Sequence, residues 1–211
     1  MTAAVRARAD LRADLQHIAD MIAPDTRVLD IGCGDGALLE YLVHAKRCDG
    51  RGVEISQAGV HACVSHGLSV IQGDADTDLQ YYPDGAFDYV VLSQTLQATR
   101  EPRAVLDHLV RIGKHAIVSI TNLGYWRTRL SLFIQGRMPI VSAPGCRWYD
   151  NPNIHPCTSR DFLDLAREMR LTVERGLSID RKGYAKSMTA IGRIANLGHE
   201  QGIFMLARAS R

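Results

Sequence analysis

The spacing of apolar and polar positions switches repeatedly between a helical period and an extended one, and each switch marks a predicted element. Leu11, Leu15, Ile18, Ala19 and Ile22 stand at i, i+4, i+7, i+8 and i+11. That is the stripe of an amphipathic helix whose polar residues face the other way and which stops before Pro24. The ten residues ahead of it carry no such pattern and are expected to fray. Val28, Leu29 and Ile31 form a short apolar run of the kind that makes a buried parallel strand, and a helical pattern resumes over residues 37–42. Residues 49–55 form a second strand, 69–72 a third, 87–92 a fourth and 115–120 a fifth. Between them lie a helix capped by Ser56 and stopped near Gly67, a Pro83-Asp84-Gly85 turn, and a helix over 104–112 with Gly113 as its stop.

From residue 122 to 157 the alternation breaks. Trp126, Leu130, Phe133 and Ile134 fall at i, i+4, i+7 and i+8, with Arg127, Arg129 and Gln135 turned elsewhere, which predicts one short helix closed by Gly136 and Pro139. An irregular segment follows, with Pro144, Gly145, Arg147, Trp148, Tyr149, Asp150, Asn151, Pro152, Asn153 and His155. Both tryptophans of the chain lie in this insertion. Long irregular segments rich in Trp, Tyr and Arg are lids or binding surfaces; a cap whose aromatics complete the core is the other reading. A helix over 158–170 then opens on Thr158, with Asp161 at the capping-box position. Residues 171–179 are the sixth strand, 181–198 a polar connection with three glycines, expected to be mobile, and 202–207 the last strand. The whole predicts a single Rossmann-like α/β domain over 1–211, with helices on both faces of a seven-stranded, mostly parallel sheet. Its last strand runs antiparallel, and the lid or insertion, 122–157, follows strand five.

Composition narrows this little. The length suits one such domain, and no apolar run approaches the ~18 residues of a spanning helix. A net charge of +2 gives no polyanion footprint, so neither nucleic acid nor membrane is expected as a partner. The N-terminal stretch has arginines but no apolar core, which makes it a poor targeting signal. Five cysteines (Cys33, Cys48, Cys63, Cys146 and Cys157), odd in number and without a C-x-x-C, are expected as reduced thiols in a cytoplasm. No metal-ligand spacing, nucleophile elbow or P-loop occurs, so no metal is expected. Cys33 reads as a packing residue or a reactive thiol, and His155 as an acid/base group or a structural hydrogen-bonding one.

The chemistry concentrates in RVLDIGCGDGALLEYL, residues 27–42. Strand, glycine turn and helix open a nucleotide-binding βαβ unit. Gly32, Gly34 and Ala37 satisfy the dinucleotide pattern; Asp30, Gly32, Gly34 and Gly36 satisfy the D-x-G-x-G-x-G of S-adenosylmethionine (SAM) methyltransferases. Charge separates the two. A pyrophosphate seeks the helix N-terminus, where Asp30 and Asp35 would repel it, whereas a sulfonium and an ammonium suit an acidic lining. The expected ligand is therefore cationic and phosphate-free. Glu54 ends the second strand 24 positions after Asp30, near the distance of a ribose-binding acid. Past the third strand Asp74, with Asp76 as the spare, can accept from an adenine amino group, although a solvated turn accounts for both nearly as well. Ile55, Ala75 and Ser93 complete the candidate set at the carboxyl ends of the strands.

VLDIGCGDG, GVEIS, VIQGDAD and FDYVVLSQTLQ, in that order, resemble the class I SAM-dependent methyltransferase fold. ITNLGYWRTRLSLFIQGRMP, RWYDNPNIHPCTSRDF and ANLGHEQGIF go further and resemble the methionine biosynthesis protein MetW family. That resemblance implies SAM or S-adenosylhomocysteine as cofactor, contacts from Asp30, Gly32, Gly34, Glu54 and Asp74, and association with homoserine O-acyltransferase (MetX). Catalytic residues remain unassigned. Trp126, Arg127, Arg129, Trp148 and Tyr149 are the candidate partner-binding residues, by their aromatic and arginine character. Three readings compete: an accessory subunit of methionine biosynthesis, a methyltransferase acting on a small molecule or protein, and an RNA methyltransferase.

Overall fold

A computed structural model describes residues 11–139, 147–188 and 195–209. Eight strands form one sheet in the order β3-β2-β1-β4-β5-β8-β6-β7. They are β1 (Arg27–Ile31), β2 (Asp49–Glu54), β3 (Ser69–Gln72), β4 (Phe87–Ser93), β5 (Gly113–Thr121), β6 (Leu171–Ile179), β7 (Ala185–Ser187) and β8 (Gln201–Arg208). β1 to β5 pair in parallel, and β8 runs antiparallel between β5 and β6. The helices are α1 (Ala13–Met21), α2 (Ala37–Lys46), α3 (Gln57–Ser65), α4 (Pro102–Ile112), α5 (Trp126–Gln135) and α6 (Ser159–Glu168).

Side chains alternate between the faces of a strand, and here both faces are covered. Leu29, Val90, Val118 and Phe204 pack with Leu106 and Leu109 of α4 and Phe162 of α6. Their sequence neighbours Val28, Val91, Ile117 and Ile203 pack on the opposite face with Ile18 of α1 and Leu42 of α2. That two-sided burial explains why these strands read as unbroken apolar runs. Ser56 caps α3 by accepting from Gly59 N–H, and Thr158 and Asp161 form the capping box of α6, as their spacing predicts.

Two expectations need correction. The sheet gains an eighth strand, because part of the polar connection pairs with β6 through Leu177↔Ser187 and Ile179↔Ala185. Asp14 does not lie on a polar outer face: it is buried, receiving Arg12 and the Gln94 amide. The expected fraying of the first ten residues, and Pro144, Gly145 and Cys146, lie outside the described residues.

A buried polar knot fixes the roots of the insertion. Asn122 donates to the carbonyls of Asn196 and His199 and accepts from Gly124 and Ser159 N–H. Ser159 Oγ meets His199 Nε2 at 2.9 Å, and Leu123 N–H donates to the Cys157 carbonyl. The insertion therefore leaves and rejoins the sheet at one place.

Candidate functional site

The carboxyl ends of β1 to β4 surround a cavity of about 180 Å³ whose lining includes Gly32, Ile55, Asp74, Ala75, Asp76, Thr95 and Arg100. This is where a doubly wound sheet offers space to a ligand. Of the sequence candidates, Gly32, Ile55, Asp74 and Ala75 meet in this cavity; Asp30, Gly34, Asp35, Glu54 and Ser93 stand outside its lining.

Gly32, Gly34 and Gly36 all have positive φ, which any side chain would strain. At Gly34 a Cβ would meet nothing within 4 Å, so the loop faces open space there. Glu54 organises that loop. Its carboxylate is buried and accepts from Gly34 N–H and from Ser56 N–H, each at 2.8 Å. Carboxylates accepting amide N–H groups make strong, charge-assisted bonds, and each oxygen keeps acceptor capacity. Gly59, which sequence reasoning overlooked, permits this approach, since a Cβ there would lie 2.8 Å from both the Gly34 carbonyl and the Glu54 side chain. Asp35 is exposed and accepts from Ala37 N–H, which starts α2.

Asp30 is 2% exposed, and no hydrogen bond from the described residues reaches its carboxylate. Burial, and secondarily the charge of Glu54, pushes its carboxyl up to about 7. A buried carboxylate without donors is costly to ionise, and a neighbouring cation relieves that cost. Cys33 lies 4.0 Å from Cys63, sulfur to sulfur. Burial first, then the charge of Asp30, raises the Cys33 thiol, which favours the packing reading over a reactive one.

The two acids that follow β3 differ in their contacts. Asp74 accepts from Asp76 N–H and stands 3.7 Å from the Arg100 guanidinium. Asp76 lines the cavity as well, and its carboxylate accepts from the N–H groups of Arg100 and Glu101, just ahead of α4. Arg100 has a second attachment. Its carbonyl accepts from His155 Nε2, while His155 N–H donates to the Gln97 carbonyl. His155 is thus structural here, and it ties the insertion to the loop that walls the cavity.

At the end of β4, Ser93 Oγ lies 3.2 Å from Ser119 Oγ. The next residue, Gln94, adopts φ +52, a conformation that non-glycine residues hold only under constraint. Backbone bonds to Ser119 and its amide bond to Asp14 supply that constraint. Asp14 and Arg100 were not singled out as site residues from the sequence, because only long-range pairing, with Gln94 and with Asp74, brings them here.

Among the candidate partner residues, Trp126 is 47% exposed and Trp148 74%, so the insertion's tryptophans do not complete the core. The Arg127 guanidinium lies over the Trp126 ring at 5.2 Å, and Trp148 and Tyr149 meet edge to face. Arg129 donates to the Gly124 carbonyl and braces the turn before α5. No described helix is long and apolar enough to cross a membrane, and no metal-holding cluster occurs among the described residues.

Comparison with solved structures shows the fold. A SAM-dependent methyltransferase of Thermotoga maritima, described as a possible histamine N-methyltransferase, superposes with a TM-score of 0.68 at 17% identity, covering 93% of this chain and 88% of that one. A SAM-dependent methyltransferase of Archaeoglobus fulgidus gives 0.66 at 17% identity over 94% and 93%. A curated protein of Rhodopirellula baltica, the "Bifunctional methionine biosynthesis protein MetXA/MetW", is 33% identical over 175 residues. The match takes in 78% of this chain and only 28% of that longer relative. The family profile described as "Methionine biosynthesis protein MetW" matches residues 12–206. With that match extending from α1 to β8, the chain belongs to the MetW family of methionine biosynthesis proteins.

Proposed function

We propose that the chain binds SAM or S-adenosylhomocysteine at the carboxyl ends of β1 to β4, and acts in methionine biosynthesis as an accessory partner of homoserine O-acyltransferase. The observation that carries the ligand is the state of the glycine loop. Gly34 N–H is taken by Glu54 and Ala37 N–H by Asp35, so the donors a pyrophosphate needs are engaged by the chain's own carboxylates. The buried Asp30 carboxylate adds a preference for a cation. In this reading Glu54 would hold the ribose hydroxyls, Asp74 would accept from the adenine amino group, and Ile55 and Ala75 would flank the ring. Ser93 would stand at the end of the cleft beyond β4. Asp30 would favour the positively charged methionine end, and Gly32 and Gly34 would leave room for close approach.

The partnership rests on the relative that carries MetXA and MetW in one polypeptide, an arrangement that keeps two domains at high effective concentration. The Arg100–His155 attachment supplies a route by which cofactor in the cavity would bias the insertion. Coupling of this kind is reciprocal and typically about 5–150-fold in affinity. The test is calorimetry with SAM, S-adenosylhomocysteine and NADH, alongside acyltransferase assays with and without the chain. SAM binding and a change in acylation support the reading, whereas tighter binding of NADH overturns the charge argument.

A second reading, methyl transfer to a small molecule or protein, draws on the constrained Gln94 and the Asp14 carboxylate bonded to it. Multiple-turnover demethylation of SAM with a defined acceptor would favour it.

A further inference from the structure

Helix α5 has ten residues and none is buried. Helices shorter than about 12–15 residues are marginal alone in water, and packing of an apolar face normally sustains them. Trp126, Leu130, Phe133 and Ile134 share one face by their spacing. Phe133 is 87% exposed and Ile134 70%, and nothing described in the chain covers them. Exposed apolar surface concentrated in this way marks an interaction site.

Charge selects the occupant. Arg127, Arg129, Arg137 and Arg147 are exposed in or beside the helix, and Asp150 is the sole acid of residues 122–155. A second copy meeting this face across a two-fold axis would set arginines against arginines. The matching surface is an apolar groove with an acidic rim. We propose that α5 docks homoserine O-acyltransferase, laying its Trp126–Leu130–Phe133–Ile134 face into such a groove. This rests on the partnership stated above and adds the surface. The roots of the insertion are suited to docking, because the Asn122 knot and the His155 bonds hold both ends against the sheet. Binding therefore need not order the whole segment.

The test titrates the full chain with the homoserine O-acyltransferase of the same organism. Phe133→Asp, and separately Leu130→Ala with Ile134→Ala, should each weaken binding by about 30-fold or more, the loss typical of a hot-spot residue. SAM affinity and melting temperature should stay at wild-type values, which guards against misfolding. If wild type and variants bind the acyltransferase equally, the surface is wrong while the partnership stands. If wild type does not bind it at all, the partnership fails and the inference with it. Dimerisation of the wild type, or its sedimentation with phosphatidylglycerol vesicles, that Phe133→Asp abolishes would also overturn it, in favour of a second copy or a lipid surface.

Discussion

The cleft at the carboxyl ends of β1 to β4 and helix α5 hang from the same end of one sheet, yet they are finished to different degrees. In the cleft, backbone N–H groups and carboxylates satisfy one another: Glu54 with Gly34 and Ser56, Asp76 with Arg100 and Glu101. Asp30 is the exception, buried with no hydrogen bond from the described residues to its carboxylate. On α5 the polar ends are braced, by Arg129 to Gly124 at one side and a left-handed Gly136 at the other, but no described residue covers the apolar face. The cleft's amides and most of its carboxylates are paired within the chain, whereas no residue of the helix is buried.

The sharpest contrast comes from one substitution made twice. Phe204→Ala, which empties a fully buried position stacked on Phe162, should cost roughly 3–5 kcal/mol of stability. Phe133→Ala should stay within about 0.5 kcal/mol, as exposed positions do. Urea denaturation measures both, and a large loss at Phe133 would mean that the chain covers α5 itself.

Asp30 should make stability fall as pH rises. Below 3.8 folded and unfolded chains both hold this proton; between 3.8 and about 7 only the folded chain keeps it. Stability therefore declines across that window, by on the order of 4 kcal/mol for this group, and levels off above it. Asp30→Asn should remove that component, so its stability relative to wild type should climb from pH 4 to 8. In wild type, a bound cation should release the proton near neutral pH, seen calorimetrically in buffers of different ionisation enthalpy.

Glu54→Ala should weaken SAM binding by roughly 2–4 kcal/mol, through lost contacts and a loosened Gly34 loop. Equal affinity by calorimetry would separate Glu54 from the ligand. The smallest effect is expected at Asp76→Ala, about 1–2 kcal/mol of stability, because the N–H groups of Arg100 and Glu101 lose their acceptor at a partly exposed site. A thermal melt checks it.

Much of this architecture is legible in the chain because it is local. The apolar runs of β1, β4 and β5, the Ser56 cap and the Thr158–Asp161 box depend on neighbours within a few residues. The position of Glu54 was legible for the same reason, as a strand-end acid at a set distance from the loop. What was not legible depends on separation. Asp14 meets Gln94 across 80 positions, and His155 meets Arg100 across 55; no periodicity encodes either. β7 escaped because three residues, Ala185, Lys186 and Ser187, carry no alternation of their own and become a strand by pairing with β6.

The place of β8 has a consequence for how the chain comes into being. β6 and β7 are made earlier, but in the sheet they connect to β5 only through β8. During synthesis, residues 171–187 must therefore wait beside a half-sheet whose open edge is β5, with the Phe204 partner of Phe162 still inside the ribosome. Non-local strands of this kind are closed late and leave apolar edges exposed meanwhile. The second half of the fold is thus assembled nearly at once, when its final strand emerges and slides between two others.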